Sequence, residues 1–157
     1  MSTYRSKNRI NMKKAKRKTF PVKNGKTTLG MHLMLDAYGV PFEQLNDMKL
    51  VFKFLYRLPD IIGMSRLSTP LVVNAEETAS GFDPGGISGV IMVNESHIGI
   101  HTFAKRGFFS LDVYSCSNFK HYVDSLLKYT KKTFPYKKKA LRIVRRGLEY
   151  PIKNIRE

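Results

Sequence analysis

Residues able to move protons or attack a carbonyl crowd one short stretch of this chain, Asn94-Glu95-Ser96-His97-Ile98-Gly99-Ile100-His101-Thr102-Phe103. The apolar run Val90-Ile91-Met92-Val93 leads straight into it, so a carboxylate, a hydroxyl and an imidazole stand where a core strand is expected to run. Each has an ordinary use, because a serine or histidine at a strand end commonly caps a turn or makes one hydrogen bond. A metal held by both His97 and His101 fails on spacing. Ile98, Ile100, Thr102 and Phe103 favour a strand, in which four residues span about 13 Å, whereas zinc ligands lie about 2 Å from the metal. A hydrolase triad of Ser96, His101 and Asp112 lacks the Gly-x-Ser-x-Gly elbow, since Glu95 and His97 flank the serine. Cys116 is the one cysteine; it forbids an internal disulfide and, on its own, reads as a small buried hydrophobe.

The wider spacing carries more. Leu29-Gly30-x-His32-Leu33-x-x-Asp36-x-Tyr38-Gly39 is followed by Gly86-Ile87-Ser88-Gly89, by Glu95-Ser96-His97-Ile98-x-Ile100-His101-Thr102-Phe103 and by Asp112-Val113-Tyr114-Ser115-Cys116, with a looser echo at Arg146-Gly147. With these motifs in this order, the chain resembles the short, prokaryotic-type S-adenosylmethionine decarboxylases, pyruvoyl enzymes of polyamine and spermidine biosynthesis. The resemblance implies that a proenzyme cuts itself between Glu95 and Ser96 into a β chain 1–95 and an α chain 96–157. Ser96 then becomes a covalent pyruvoyl cofactor. Ser88 and His101 fall on the positions that assist processing, Cys116 on the residue that reprotonates the product, and Phe82 on the ring that stacks on the substrate's adenine.

Those residue types suit that chemistry. A serine hydroxyl can attack the preceding carbonyl, giving an ester that eliminates to dehydroalanine and hydrolyses to a ketone. A histidine moves the protons near neutrality. The ketone condenses with a substrate α-amine, and the resulting Schiff base withdraws the electrons left by departing carbon dioxide. A cysteine thiol is a suitable proton donor to the carbanion.

Lys105 departs from the pattern. The resemblance calls for an acid four positions after His101, where a carboxylate binds ribose hydroxyls; a cation cannot accept those hydrogen bonds, and it repels a sulfonium. Phe82, Glu95 and Lys105 are thus the candidate substrate contacts, with Lys105 expected to point away or to pair with an acid such as Asp83 or Glu95. Relatives that decarboxylate arginine or ornithine are the alternative within the resemblance. Outside it stand a non-enzymatic regulatory or RNA-binding relative and, more remotely, a hydrolase.

The elements that must hold these residues follow from periodicity. A strand is expected within Thr27 to Val40, with His32 and Asp36 on its less apolar face as a structural pair. Pro41, Glu43 and Asp47 open a helix with Leu50, Val51, Phe54, Leu55 and Leu58 on one side, ended by Pro59. Strands are expected at 70–73, 87–93, 97–103, 108–116 and 138–146, with a loop over 74–86 and a helix capped by Asn118. Within 108–116 Asp112 and Cys116 share a face, so a hairpin with 97–103 offers His101 and Cys116 one pocket. This order predicts an α+β two-layer sandwich with an antiparallel sheet. The resemblance adds dimerisation into a four-layer αββα arrangement, with active sites at or near the interface.

The chain has 157 residues, 42% hydrophobic, enough for one domain over 27–157. No apolar run approaches a membrane span, and the N-terminus lacks the apolar centre of a signal peptide, so a cytoplasmic location is expected. The net charge of +16 is uneven. Residues 1–26 hold ten Lys or Arg and no acid, 27–119 hold six basic and nine acidic, and 120–157 hold twelve basic and three acidic. The first segment reads as a disordered basic arm, solubilising or weakly nucleic-acid-binding. The Lys- and Arg-rich last strand reads as an edge protected against unwanted pairing.

Overall fold

The computed structural model describes residues 20–21 and 27–148. Apart from Phe20–Pro21, the basic arm 1–26 lies outside the described residues. Phe20–Pro21 (β1) pairs antiparallel with Thr27–Thr28 (β2). The six further strands are β3 (Gly30–Tyr38), β4 (Leu71–Ala75), β5 (Gly86–Val93), β6 (Ser96–Phe103), β7 (Phe108–Ser115) and β8 (Lys138–Arg146). They form one antiparallel sheet in the order β4-β5-β6-β7-β3-β8, so the first long strand sits between the last two.

Alternation of side chains sorts the sheet into two faces. Ile87, Ile91 and Val93 of β5, Ile98, Ile100 and Thr102 of β6, Phe109, Leu111 and Val113 of β7 and Leu33, Leu35 and Ala37 of β3 are buried on one of them. Two helices cover that face: α2 (Met48–Ile61), which follows the single turn α1 (Phe42–Leu45), and α3 (Val123–Thr133). Val51, Phe54, Leu55 and Leu58 form the buried side of α2. Phe54 stacks on Tyr129 of α3 at 5.4 Å and meets Phe134 edge-on at 5.1 Å. Full burial of such a ring stabilises by about 1.5–3 kcal/mol. Among the described residues no helix covers the other face, and Leu71, Val73, Val90 and Met92 lie exposed on it.

This is the expected two-layer α+β sandwich, with local corrections. The helix foreseen after Pro41 is broken at Asn46–Asp47, where the Asp47 side chain caps α2 by accepting the Leu50 N–H at 2.9 Å. Pro59 lies inside α2 instead of ending it. A proline removes one intrahelical donor, and near a C-terminus the chain closes around that loss: the Ile62 N–H reaches the Leu58 carbonyl at 3.1 Å. Asn118 caps no α-helix; it accepts the Lys120 N–H at 2.9 Å at the head of a 3-10 turn, Lys120–Tyr122, that precedes α3. Among the described residues no helix is long and apolar enough to cross a membrane.

Thr102 ties the layers together. It is 2% exposed, and its hydroxyl donates to the Leu45 carbonyl at 2.9 Å while accepting the Ile87 N–H at 3.0 Å. Thr102→Val keeps the shape but strands two buried backbone groups, a loss of about 1–3 kcal/mol. Urea unfolding should show a lower midpoint at an unchanged slope.

Candidate functional site

β5 and β6 form a hairpin whose last pair is Val93↔Ser96, leaving Asn94 and Glu95 as its two-residue turn. The turn is braced on both sides. On one side the Asn94 N–H donates to the Ser65 carbonyl at 2.9 Å, and the Ser65 N–H reaches Glu95 Oε2 at 3.4 Å. On the other side the Glu95 carbonyl accepts the Cys116 N–H at 2.8 Å, just beyond the register pair Ser96↔Ser115. Gly30 of β3 makes that closeness possible, since a Cβ there would lie 2.7 Å from Cys116 Cα and collide with the Ser115 carbonyl.

Ser96 has φ 154° and is the one non-glycine residue with positive φ among the described residues. An L-residue held there stores about 1–3 kcal/mol. Its hydroxyl lies 3.2 Å from His97 Nδ1. Neighbouring side chains on a regular strand point to opposite faces, which is why the sequence offers no hint of this contact; the displaced backbone at Ser96 allows it. His97 in turn lies against Tyr114, ring centroids 5.8 Å apart.

Farther along β6, His97, Gly99 and His101 line the open face beside Ser88, Asp112 and His32 around a cavity of about 350 Å³. Ser88 faces His101 in register, and Ser88 Oγ shares a hydrogen bond with His101 Nδ1 at 2.9 Å. Within one chain this pair does not meet Ser96. Five residues of strand put them about 16 Å apart, and the register places His101 opposite Ser110, at the other end of β7 from Cys116. The pocket shared by His101 and Cys116 is therefore absent from the single chain.

The pairing foreseen for His32 and Asp36 is also corrected, because residues four apart along a strand are too far from each other to touch. His32 Nε2 instead bonds Asp112 Oδ1 across the sheet at 2.9 Å, while Arg146 Nη1 approaches His32 Nδ1 at 3.4 Å. A guanidinium only donates, so Nδ1 accepts and Nε2 carries the proton given to Asp112.

The 76–85 loop is fastened at its backbone. The Phe82 carbonyl accepts from Arg106 Nη2 at 2.7 Å, and Lys105 Nζ pairs with Glu77 Oε2 at 3.1 Å. Lys105 thus finds an acid, but neither Asp83 nor Glu95. Phe82 is 83% exposed, so its ring anchors nothing and projects outward. Arg106→Ala should free the loop, raising amide hydrogen-exchange rates over residues 78–85 by about three- to tenfold, the effect of one hydrogen bond near 1 kcal/mol, with β6 amides unchanged.

A family model described as S-adenosylmethionine decarboxylase matches residues 31–147. The S-adenosylmethionine decarboxylase proenzyme of Sulfurihydrogenibium sp. (strain YO3AOP1) is 34% identical over 121 residues, covering 77% of this chain and 84% of that protein. The proenzyme of Persephonella marina is 32% identical over 120 residues, 76% of this chain and 84% of that one. In fold, the chain is similar to the crystal structure of the adenosylmethionine decarboxylase from Aquifex aeolicus, with a TM-score of 0.64 and 24% identity over 82% of this chain and 98% of that one.

Proposed function

The chain belongs to the S-adenosylmethionine decarboxylase family, and we propose that it is a self-cleaving, pyruvoyl-dependent adenosylmethionine decarboxylase acting as a homodimer of processed chains. One peptide bond carries the reading: the Glu95–Ser96 bond, with Ser96 at φ 154° and the Glu95 carbonyl held by the Cys116 N–H at 2.8 Å.

That arrangement is suited to acyl transfer. When Ser96 Oγ adds to the Glu95 carbonyl carbon, negative charge grows on the oxygen that the Cys116 amide already contacts, as in an oxyanion hole. His97 Nδ1, 3.2 Å from the hydroxyl, is within reach of its proton. The new C–O bond replaces the peptide C–N bond, and the stored backbone strain favours the exchange. Loss of the Ser96 Cα proton then expels the Glu95 carboxylate, leaving chains 1–95 and 96–157, and hydrolysis of the residual enamine releases ammonia. The pyruvoyl group so formed supplies the electron-withdrawing carbonyl for loss of carbon dioxide.

Proton removal at Ser96 Cα suits the Ser88–His101 pair, but not the pair on the same chain. A second copy stacked on the open sheet face would bring its pair to this Ser96 and receive the reciprocal contribution, since a two-fold interface is self-complementary. It would also cover Leu71, Val73, Val90 and Met92, giving the four-layer αββα arrangement. Cys116, next to the Ser96↔Ser115 pair, would return a proton to the product carbon through its thiol. Its role as a thiol suits a reducing cytoplasm.

The substrate reading rests on family and charge. The curated relatives are named for adenosylmethionine, not for arginine or ornithine. Glu77 offsets Lys105, so the place where a cation would repel a sulfonium carries a neutral pair. Phe82 is free to stack on an adenine.

Intact mass under denaturing conditions should give two chains of roughly 11 and 7 kDa, and Ser96→Ala one uncleaved chain. An uncleaved Ser96→Ala protein with full activity would refute the mechanism. Ser96→Ala and His101→Ala should each be inactive alone. Co-expressed, they should restore cleavage of the His101→Ala chain, because one of the two sites then joins an intact Ser96 to a partner's intact His101. Failure to complement would place the pair's action within one chain.

A further inference from the structure

A second feature lies across the sheet from the Glu95–Ser96 bond. β8 lies at the edge of the sheet, paired on one side only with β3. Over nine residues it carries Lys138, Lys139, Arg142, Arg145 and Arg146 and no acid. All five are exposed. Arg146 leans on Tyr114, 5.1 Å from its ring. No ion pair among the described residues involves Lys138, Lys139 or Arg142; Arg142 shares a shallow cavity with Asp36 and Asp112 on the open face.

Edge protection accounts for charge on this strand but not for its uniform sign. A charge of either sign interrupts edge-to-edge pairing, and mixed signs would do so without self-repulsion; here every charge is positive. The stripe is about 30 Å long at strand rise. It lies about 14 Å from β6, three strand spacings across the sheet. We propose that the β8 edge is a docking surface for the phosphate backbone of single-stranded nucleic acid, separate from the Glu95–Ser96 bond. Alternation puts Lys138, Arg142 and Arg146 on the open face and Lys139 and Arg145 on the helix-covered one, so an extended strand lying along the edge can meet cations from both sides over a length that a rigid duplex cannot follow. No aromatic residue lies on β8 to stack on bases, so recognition is through phosphates and blind to base and sugar. The ten cations of segment 1–26 add to the same polarity.

The test uses the full chain with K138Q/K139Q/R142Q, which removes three charges and leaves segment 1–26 in place. Fluorescence anisotropy with labelled oligo-U and oligo-dT of about 20 nucleotides is read from about 50 to 200 mM salt. Wild type should bind both alike, with affinity falling steeply as salt rises. The triple variant should bind at least about tenfold more weakly at 100 mM and lose about 2 from the log–log salt slope, about 0.7 for each phosphate contact. Its cleavage state and thermal midpoint should match wild type. Should the triple variant fail to fold, K139Q and R142Q singly should each remove about 0.7 from the slope. An unchanged slope, tighter binding to duplex DNA, or tighter binding to phosphatidylserine vesicles than to either oligonucleotide would overturn the proposal.

Discussion

The register of β6 between β5 and β7 is the constraint on which the rest depends. By pairing Ser96 with both Val93 and Ser115, it sets the Glu95 carbonyl against the Cys116 amide and holds Ser96 in a backbone conformation that L-residues avoid. A one-residue slip would turn Ile98, Ile100 and Thr102 out of the core and His97 and His101 into it. Burial of that apolar row therefore locks the Glu95–Ser96 bond in place, and Thr102, bonded to the last residue of α1, Leu45, fixes the row lengthwise.

The same register separates the chemical groups. Ser96, Glu95 and Cys116 gather at one end of β6, and Ser88 with His101 toward the other. Between them the open face offers a cavity lined by imidazole, hydroxyl and aliphatic groups. One sheet face is sealed by helices and the other presents Ser88, His97 and His101 together with exposed aliphatic side chains. A partner sheet would meet two needs at once, covering apolar surface and bringing the halves together.

Charge is divided along the chain in a way that suits two separate tasks. Residues 27–119 are mildly acidic, while both ends are strongly basic. Near the site, cations are matched individually, as Lys105 is by Glu77 and Arg66 by Asp60. Along β8 no ion pair among the described residues matches Lys138, Lys139 or Arg142.

Period-two alternation made β3, β5, β6 and β7 legible from residue types alone, and with them the antiparallel two-layer sandwich. The Glu95-Ser96 dipeptide, the intervals to Ser88, His101 and Cys116, and the family they resemble were likewise a property of the string. Breaks that depend on a single hydrogen bond were not: Asp47 capping α2, Pro59 tolerated within it, and Asn118 serving a 3-10 turn each turn on about 1 kcal/mol of local bonding. The contacts that define the site were equally invisible. His32 finds Asp112 instead of Asp36, His97 reaches Ser96, and Glu77 rather than Asp83 or Glu95 answers Lys105. Sequence fixes which face of a strand a residue occupies, because alternation is intrinsic to the extended backbone. Only tertiary structure decides which strand lies beside it, in what register, and where the backbone leaves its ideal path, because those are settled by burial and hydrogen bonding summed over residues far apart in the chain.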